Sequence, residues 1–493
     1  MSEILTDTIV SVNTIINTNI WYVAFAVVIV LGIIFTIRGR GVQLHRIPEA
    51  IRLLKSSVKE KIHSDSISSF QAFCTTMGTR VGIGNIAGIA AAIVMGGPGS
   101  IFWMWIFVII LAAVSFVENT MGQIYKEKQS DGFTRGGPAY YIKNGLGKPK
   151  FAIIMSVLLV TLAFSYCGVQ ANQACASVVN TFPVLSPLLV GAVITLAAGF
   201  IFFGGVKRIA KISAKIVPFM LVGYLAIVVI VLLTNLQLIG GVFETIFAYA
   251  FGIRPFLGGG FAMMFIWALK RSVFSTDSGV GIIPNISSSA KVSHPVKVGL
   301  IQALGTFVDI LICTASGLVI LLYTNQVYPN YNFTELGLSA AELDSLKGAP
   351  LVSDALSSTF LGPAAPFILT IFLLTFAFST LISHYFTCEA NISYITQKPI
   401  VMKIVRILLI VSVFIFSQLS LGVVWDITDT VQAVLCICNL AALIFLSKYA
   451  FEALRDYFKQ KKDGVKEPVF TADVLSNGKG VTCWDAKRED EGK

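Results

Sequence analysis

The stretch SFQAFCTTMGTRVGIGNIAGIAAAIVMGGPGSIFWMW, which runs from Ser69 to Trp105, decides the fold of this chain. It is apolar enough to enter a bilayer, but Arg80 and Asn85 lie in its middle among four glycines: Gly78, Gly82, Gly84 and Gly88. A glycine inside a helix costs about 1 kcal/mol relative to alanine, so this cluster predicts a helix that unwinds there. Unwound backbone at membrane depth must be buried in protein or line a cavity, and transporters use its free groups to hold ions and carboxylates. The alternative is that the glycines allow close packing of neighbouring helices.

The composition of the whole chain is typical of a membrane protein with many spans. Of its 493 residues, 55% are hydrophobic and only 13% are charged, and the mean hydropathy is +0.78. We attribute the net charge of +10 to basic loops rather than to a surface that binds nucleic acid. The eight cysteines fall mostly in apolar runs without metal-ligand spacing, so we predict free thiols. The N-terminus lacks the basic region of a secretory signal peptide.

Eleven apolar segments are long enough to span a bilayer, which takes about 20 residues. Lysine and arginine are concentrated in alternate loops, whereas the other set of loops holds only Arg254 and Lys347. Because basic loops lie on the cytoplasmic side, we predict an extracellular N-terminus, a cytoplasmic C-terminus and a location in the plasma (inner) membrane. The predicted spans are 20–37, 71–95, 99–121, 153–178, 185–203, 216–235, 260–285, 298–323, 364–394, 402–422 and 427–447.

Ten of these spans form two groups of five, 71–235 and 260–447, which run through the membrane in opposite senses. This is the arrangement of an inverted repeat, in which the first helix of each group should be discontinuous. The second group begins with GGGFAMMFIWALKRSVFSTDSGVGIIPNISSS, an apolar segment interrupted by charges, glycines and Pro284. The other predicted segments are an extracellular N-terminus (1–19), an extra helix with a basic cytoplasmic loop (20–70), an external linker (236–259) and a cytoplasmic tail (448–493).

The tail and the longest outer loop carry further expectations. The tail begins with KYAFEALRDYFKQKK, which predicts an amphipathic helix on the anionic inner leaflet. The polar residues after Gly464 are predicted to be mobile. The outer loop 324–363 is interpreted either as a lid or as an ordinary solvated loop.

Motifs spread over nearly the whole chain carry a family resemblance. The run VGIGNIAGIA (81–90) is followed by GGPGSIFWMW (96–105), and further segments are RGGPAYYI (135–142), GVQAN (168–172), FSTDSGVG (274–281) and FAFST (376–380). Together they resemble the alanine/glycine:cation symporters. The resemblance implies an all-α membrane protein with the leucine-transporter type of 5+5 inverted repeat and one extra N-terminal helix. It also implies cation-coupled uptake, with Na⁺ or H⁺, of a small neutral amino acid such as alanine or glycine by alternating access.

The first break is the predicted binding region. Free backbone N–H groups at a half-helix N-terminus suit a carboxylate, so we expect the substrate at Gly82, Ile83, Gly84 and Asn85. The resemblance implies a sodium site made by the carbonyls of Gly78 and Val81 with the hydroxyls of Ser379 and Thr380. A hydroxyl pair on a membrane helix otherwise bonds to carbonyls of its own helix.

The walls of the site are predicted from the second break and from single polar residues. Phe261, Met264 and Phe265 are interpreted as the apolar wall around the substrate side chain, or as a packed or lipid-facing stripe. Gln170 matches a family position near the substrate. His384 stands where the family usually has tryptophan, and it is a pocket-lining residue, a proton-coupled group or a core histidine. This departure leaves the identity of the amino acid open.

Ionisable groups inside spans are expected to pair. We predict that Arg271 and Asp277 form part of an inner gate, and that Arg80, Thr276 and Gly279 belong to the helix breaks. Two further carboxylates, Glu118 and Asp309, are as well explained by bracing neighbouring helices.

Two classes of function fit these expectations. The first is a secondary active symporter whose partners are a small neutral amino acid, a sodium ion and the lipid bilayer. The second is a non-transporting membrane sensor of amino acids on the same scaffold, which should carry a sizeable cytoplasmic domain. We expect no enzymatic activity, because the sequence shows no nucleophile–base pair, metal-ligand spacing or phosphate loop, and no cofactor apart from the coupling ion.

Overall fold

The computed structural model describes residues 2–58, 67–129, 132–203, 205–252, 260–327, 346 and 348–484, and most of them are helical. The first half of the chain contains α1 (Ser2–Arg38), α2 (Val42–His45), α3 (Ile47–Ser57), α4 (Ser69–Arg80), α5 (Ala87–Gly96), α6 (Ser100–Ile124), α7 (Pro138–Leu146), α8 (Pro149–Thr181), α9 (Pro187–Phe202), α10 (Gly205–Thr234) and α11 (Leu236–Ala250).

The described part of the second half of the chain is also mainly helical. It contains α12 (Gly260–Thr276), α13 (Ile282–Ser287), α14 (Pro295–Val327), α15 (Ala349–Ser357), α16 (Ala365–Ile395), α17 (Pro399–Ser417) and α18 (Leu421–Lys462). The strands β1 (Glu127–Lys128) and β2 (Thr134–Arg135) form one short antiparallel pair in the loop between α6 and α7.

The deciding stretch folds as a broken helix, as its glycines predict. Ser68 begins α4 with a capping box, since its hydroxyl accepts the Gln71 N–H and the Gln71 side chain accepts the Ser68 N–H. The helix ends at Arg80, a single 3₁₀ turn follows at Ile83–Asn85, and α5 resumes the helix at Ala87. The whole stretch from 69 to 100 is almost entirely buried, so its unpaired backbone lies inside protein.

A second break separates α12 from α13, and the prediction that the second group also begins with a discontinuous helix is confirmed. Asp277 has a φ of +50°, and Gly279 and Gly281 have φ values of +83° and +89°. The left-handed region is open to glycine but unusual for other residues, so Asp277 marks the point at which the helix is forced to end.

Eight of the described helices are long and apolar enough to cross a membrane, by length and composition. Each of the eleven predicted spans coincides with a helix or with a broken helix pair. Three of the predicted spans are not among these eight helices. They are the broken pairs α4–α5 and α12–α13, and α9, an apolar helix of 16 residues. Their crossing of the membrane therefore stays a prediction.

The tail differs from its prediction. The last span and the predicted surface helix form one continuous helix, α18, which ends at Lys462. The residues that follow pack against the protein, because the Phe470 N–H donates to the Ser293 carbonyl (2.9 Å) and the Trp484 indole N–H donates to the Gln123 carbonyl (3.0 Å). Phe470 and Trp484 are both buried. For residues 465–484 the predicted mobility is wrong, because the aromatic residues there pack against the protein; residues 485–493 lie outside the described part of the chain.

Candidate functional site

The backbone of the first break is held by two side-chain amides. The Asn85 Oδ1 atom accepts the Gly82 N–H (3.1 Å), and the Gln170 Oε1 atom, from α8, accepts the Ile83 N–H (3.1 Å). These N–H groups, predicted to be free, are therefore occupied by uncharged oxygen acceptors in this structure. An oxygen anion can replace these amide oxygens and accept hydrogen bonds from the same backbone N–H groups.

Close approach of neighbouring side chains explains two of the glycines. A Cβ atom at Gly82 would lie 2.7 Å from the Thr380 hydroxyl, and one at Gly84 would lie 2.3 Å from the Phe274 ring. Real Cβ atoms do not approach other atoms so closely, so α16 and α12 contact the bare backbone of the break. Gly82, Ile83, Gly84 and Asn85 thus lie together with Gln170 in one buried region.

Arg80 connects the two breaks. Its Nε atom donates to the Thr276 carbonyl (2.9 Å) at the end of α12, where the last carbonyls have no partner within the helix. Its other nitrogens donate to the Gln302 carbonyl (2.9 Å) on α14 and to the Ser115 hydroxyl (2.9 Å) on α6. The guanidinium is almost fully buried, and its hydrogen bonds reach three other helices. It therefore fixes the end of one discontinuous helix relative to the other.

Two buried carboxylates each contact the break of the opposite half. Glu118, on α6, accepts the Gly279 N–H (3.2 Å) and a hydrogen bond from the Asn439 amide (3.2 Å). Asp309, on α14, accepts a hydrogen bond from the Asn85 amide. These two carboxylates brace the breaks, in agreement with the bracing interpretation.

Asp277 is the carboxylate that the structure leaves without a well-formed hydrogen bond. It is fully buried at the second break, beside Thr79 and Tyr166 and in the field of Arg80. Among the described residues, none completes a hydrogen bond to either of its oxygens. A buried carboxylate without such donors is an unsatisfied acceptor beside the break.

The residues of the predicted sodium site lie where α4 contacts α16. The Thr380 hydroxyl lies within hydrogen-bond distance of the Gly78 carbonyl (2.8 Å) and of the Phe376 carbonyl of its own helix (2.9 Å), and it donates its single proton to one of them at a time. The Ser379 hydroxyl also bonds to the Phe376 carbonyl (2.9 Å), and Val81, with a ψ of 84°, follows the last residue of α4. The structure thus brings Gly78, Ser379 and Thr380 into contact, at a place where the helical hydrogen-bond pattern ends.

An aromatic cluster lies beside the first break, and most of it was not predicted. The Phe274 ring stacks on Tyr166, with centroids 4.7 Å apart and planes at 14°, and contacts Trp425 edge-on at 4.8 Å. The His384 ring lies 4.5 Å from Tyr166. His384 is fully buried, and neither ring nitrogen has a hydrogen-bond partner among the described residues. This cluster is the apolar wall nearest to Gly84.

The predicted wall residues lie elsewhere. Phe265 packs on Trp103, with ring centroids 4.2 Å apart, and Phe261 packs on Phe265 at 4.9 Å. Met264 contacts the backbone near Gly99. Because all three lie about three or more helical turns before the break, they pack against α6 rather than line the site. The packed-stripe alternative describes them correctly.

Arg271 pairs with an acidic residue inside a span, as expected, and this residue is Asp429. Its Nη2 atom binds both oxygens of Asp429, on α18, at 2.6 and 2.7 Å, and its guanidinium lies over the Trp425 ring at 4.4 Å. Residues 271 and 277 are six positions apart, which places them about 120° apart around the helix, so they face different neighbours. Arg271 also lies on the outer side of the break under the predicted orientation, not at an inner gate.

Four residues of this region escaped the sequence reasoning: Tyr166, Phe274, Trp425 and Asp429. Phe274 opens the motif FSTDSGVG and directly precedes the break, so its position was a usable signal. Asp429 is an acidic residue inside a predicted span, which marks it as a partner for a buried cation. Tyr166 and Trp425 lie in apolar runs in which nothing local distinguishes them from core residues.

The model of the family described as "Sodium:alanine symporter family" matches residues 3–472. The chain belongs to this family. Its members are transporters, so this protein is a multi-pass membrane symporter for cation-coupled amino-acid transport. The family match agrees with the resemblance that the sequence motifs carry.

Curated relatives of the symporter cover almost all of it. It is 39% identical to the probable sodium/glutamine symporter GlnT of Bacillus subtilis (strain 168), over 92% of this chain and 91% of that one. It is 36% identical to the putative sodium/proton-dependent alanine carrier protein YrbD of the same organism, over 98% of each chain. It is 32% identical to the sodium/alanine symporter AgcS of Methanococcus maripaludis, over 93% and 99%.

A solved structure resembles the fold of the symporter at low sequence identity. This is a Na⁺-coupled sialic acid symporter in a substrate-bound, outward-open state, with a TM-score of 0.51 and 13% identity over 90% of this chain and 86% of that one. The likeness concerns the fold alone.

Proposed function

We propose that this protein uses an inward gradient of Na⁺ to take up a neutral amino acid, of the class that contains alanine, glycine and glutamine, by alternating access. The observation that carries the proposal is the meeting of two helix breaks at one buried place, where Arg80 bonds to the end of α12 (2.9 Å). The names of the relatives point to alanine or glutamine.

The two halves form an inverted repeat in this proposal. Its support is a matched pair of contacts: α6 follows the first break and its Glu118 braces the second, whereas α14 follows the second break and its Asp309 braces the first. Two halves related by a pseudo-twofold axis produce such a reciprocal pair. The eleven spans and the extracellular N-terminus belong to the same proposal.

The substrate carboxylate binds at the first break. It takes the place of the Gln170 amide oxygen on the Ile83 N–H, and Gly82, Gly84 and Asn85 form the rest of the half-helix N-terminus. The substrate side chain then lies against Phe274, Tyr166 and His384 instead of the more distant Phe261, Met264 and Phe265.

The coupling ion lies between α4 and α16, bound by oxygens of Gly78, Val81, Ser379 and Thr380. The support is the 2.8 Å contact between the Thr380 hydroxyl and the Gly78 carbonyl, which the ion would replace with two metal–oxygen contacts. Hard monovalent cations prefer oxygen ligands of this kind. Because Gly78 and Gly82 lie on the same short segment, binding of the ion orders the backbone that binds the carboxylate.

The Arg271–Asp429 pair acts as an outer gate. It lies beside the first break, since a Cβ atom at Gly88 would be 3.5 Å from the Arg271 Cδ atom. When Arg271 and Asp429 are in contact and Arg271 lies over Trp425, these three side chains separate the substrate site from the outer side. Asp277, Thr276 and Gly279 form the inner edge of the site at the second break.

Uptake into proteoliposomes tests the proposal. Labelled alanine, glycine, serine and glutamine are offered with an inward Na⁺ gradient, with K⁺ in place of Na⁺, and with a pH gradient alone. The proposal expects uptake of at least one of them only with Na⁺. Uptake driven equally by the pH gradient in K⁺ would overturn the ion assignment, and binding without any uptake would favour the sensor.

A further inference from the structure

A second concave region lies far from the helix breaks, on the predicted cytoplasmic side. It is a cavity of about 760 Å³ formed where the end of α1 and the short helix α2 meet the last turns of α18. None of the residues proposed for transport lines it. Its lining is unusual in charge, with six basic side chains: Arg38, Arg40, Arg46, Arg455, Lys459 and Lys462.

Among the described residues these six cations form no ion pair, although Asp456 lies near Lys459 on the same helix. No acidic residue is among the described residues that line the cavity, and none of the six is within ion-pair distance of a carboxylate of the described chain. Nearby Arg52 differs, because it is paired with Glu49. Six like charges around one cavity create a positive potential that attracts anions, so the charge pattern points to an anionic ligand.

Beneath the basic side chains, the lining of the cavity is apolar. Phe451 and Leu454 are buried beneath the cations, and the Arg46 guanidinium lies 4.0 Å from the centre of the Phe458 ring. Arg38 in turn lies over Phe451 at 5.1 Å. Basic side chains thus lie over aromatic rings in the lining of the cavity, which is how such residues behave at a membrane interface.

The two helices that form the cavity present apolar side chains just before they reach it. On α1, Ile33 and Ile37 are 44% and 69% exposed, and on α18, Ile444 and Phe445 are 47% and 67% exposed. Such side chains are suited to contact with acyl chains. The change from exposed apolar residues to cations on both helices marks the level of the lipid headgroups.

We propose that this cavity binds the phosphate headgroup of an anionic phospholipid of the inner leaflet, with the acyl chains along α1 and α18. A lipid headgroup and a small free anion can both present a phosphate ester to the cations. The exposed apolar side chains that lead to the cavity on α1 and α18 favour the lipid. The bound lipid links the extra N-terminal helix to α18, the helix that carries Asp429 of the proposed outer gate.

Thermal unfolding of the purified full-length protein in neutral detergent tests the proposal. Phosphatidylglycerol should raise the Tm by about 3 °C or more relative to the same amount of phosphatidylcholine, because a ligand that binds only the folded state stabilises it. Arg40→Gln/Arg46→Gln/Lys459→Gln should lose at least half of that shift. The matched control Arg52→Gln, which removes a paired arginine outside the cavity, should keep it.

Further measurements distinguish binding of a lipid from binding of a small phosphate, and loss of binding from misfolding of the variant. Glycerol 3-phosphate and inorganic phosphate at the concentration of the lipid should leave the Tm unchanged, and an equal shift with either would overturn the lipid assignment. In the unaltered protein, spin-labelled phosphatidylglycerol should be retained more strongly than spin-labelled phosphatidylcholine, and added salt should reduce the difference. Equal retention of the two lipids, or a full Tm shift in a folded triple variant, would overturn the proposal.

Discussion

His384 is the residue on which substrate choice should depend most. Its imidazole is fully buried beside Tyr166, and neither ring nitrogen has a partner among the described residues. A buried polar group without a partner costs free energy, and a polar substrate side chain can supply the missing hydrogen bond. The position of the ring, one helical turn after Thr380, keeps it close to the proposed ion and substrate sites.

We therefore predict that His384→Phe changes the ranking of substrates. Loss of one hydrogen bond to a buried group costs about 1–3 kcal/mol, so uptake of glutamine should fall about tenfold or more relative to alanine. Competition between the two labelled amino acids in proteoliposomes measures this ratio. His384→Gln, which keeps a donor and an acceptor, should retain more of the discrimination. If both variants keep the ranking of the parent, His384 only fills space.

Arg80 and Arg271 show what sequence reasoning reached at the scale of single residues. An arginine among glycines in a membrane span was correctly expected at a break, because both features are local. The partners of Arg80 are backbone carbonyls of Thr276 and Gln302, which no residue type reveals. Arg271 was expected at one gate with Asp277, but its partner lies 158 positions away, at Asp429. Long-range packing decides such pairs, and it leaves no local signal.

At the scale of elements, the two broken helices are the parts best predicted. Glycine clusters lower helix stability wherever they occur, so each break follows from a short window of sequence. The docking of the tail could not be predicted from a short window of sequence. It depends on the Trp484 indole reaching the Gln123 carbonyl near the end of α6 (3.0 Å). The prediction of the apolar wall also depended on packing between distant segments, which places Phe274, and not Phe265, beside Gly84.

The helix pair α12 and α18 gives a prediction for the outer gate. Asp429→Asn leaves Arg271 buried without a carboxylate, and loss of one partner of a buried ion pair costs about 3–5 kcal/mol. The substrate concentration for half-maximal uptake should rise, and the Tm should fall, while uptake remains dependent on Na⁺. Asp463→Asn, which removes an exposed carboxylate directly after α18, serves as the control. Equal effects of the two substitutions would contradict the gate.

For the whole molecule, the orientation in the membrane is the prediction with the widest consequences. Val184, between α8 and α9, is 91% exposed and is predicted to lie outside, whereas the exposed Lys211 is predicted to lie inside. An impermeant maleimide added to intact cells should label Val184→Cys but not Lys211→Cys, above the background of the parent. Labelling of Lys211→Cys alone would reverse the membrane orientation, and with it the assignment of the Arg271–Asp429 pair to the outer side.

The central claim is that the ion and the amino acid bind to one ordered break and raise each other's affinity. In such linkage, Na⁺ must strengthen amino-acid binding by the same factor by which the amino acid strengthens Na⁺ binding. Thr380 connects the two sites, since its hydroxyl contacts the Gly78 carbonyl (2.8 Å) and a Cβ atom at Gly82 would lie 2.7 Å from it. Thr375 is the matched control, because its hydroxyl bonds only to the Ile371 carbonyl of its own helix (2.7 Å) in the described structure.

The most direct test is equilibrium binding of labelled glutamine and alanine to the purified protein over a series of Na⁺ concentrations. In the parent and in Thr375→Ala, the affinity for the transported amino acid should rise with Na⁺. In Thr380→Ala, about tenfold more Na⁺ should be needed for the same rise, since a lost ligand in a dry site costs about 1–3 kcal/mol. Amino-acid binding of equal strength in Na⁺ and K⁺, or an unchanged Na⁺ requirement in Thr380→Ala, would contradict the account.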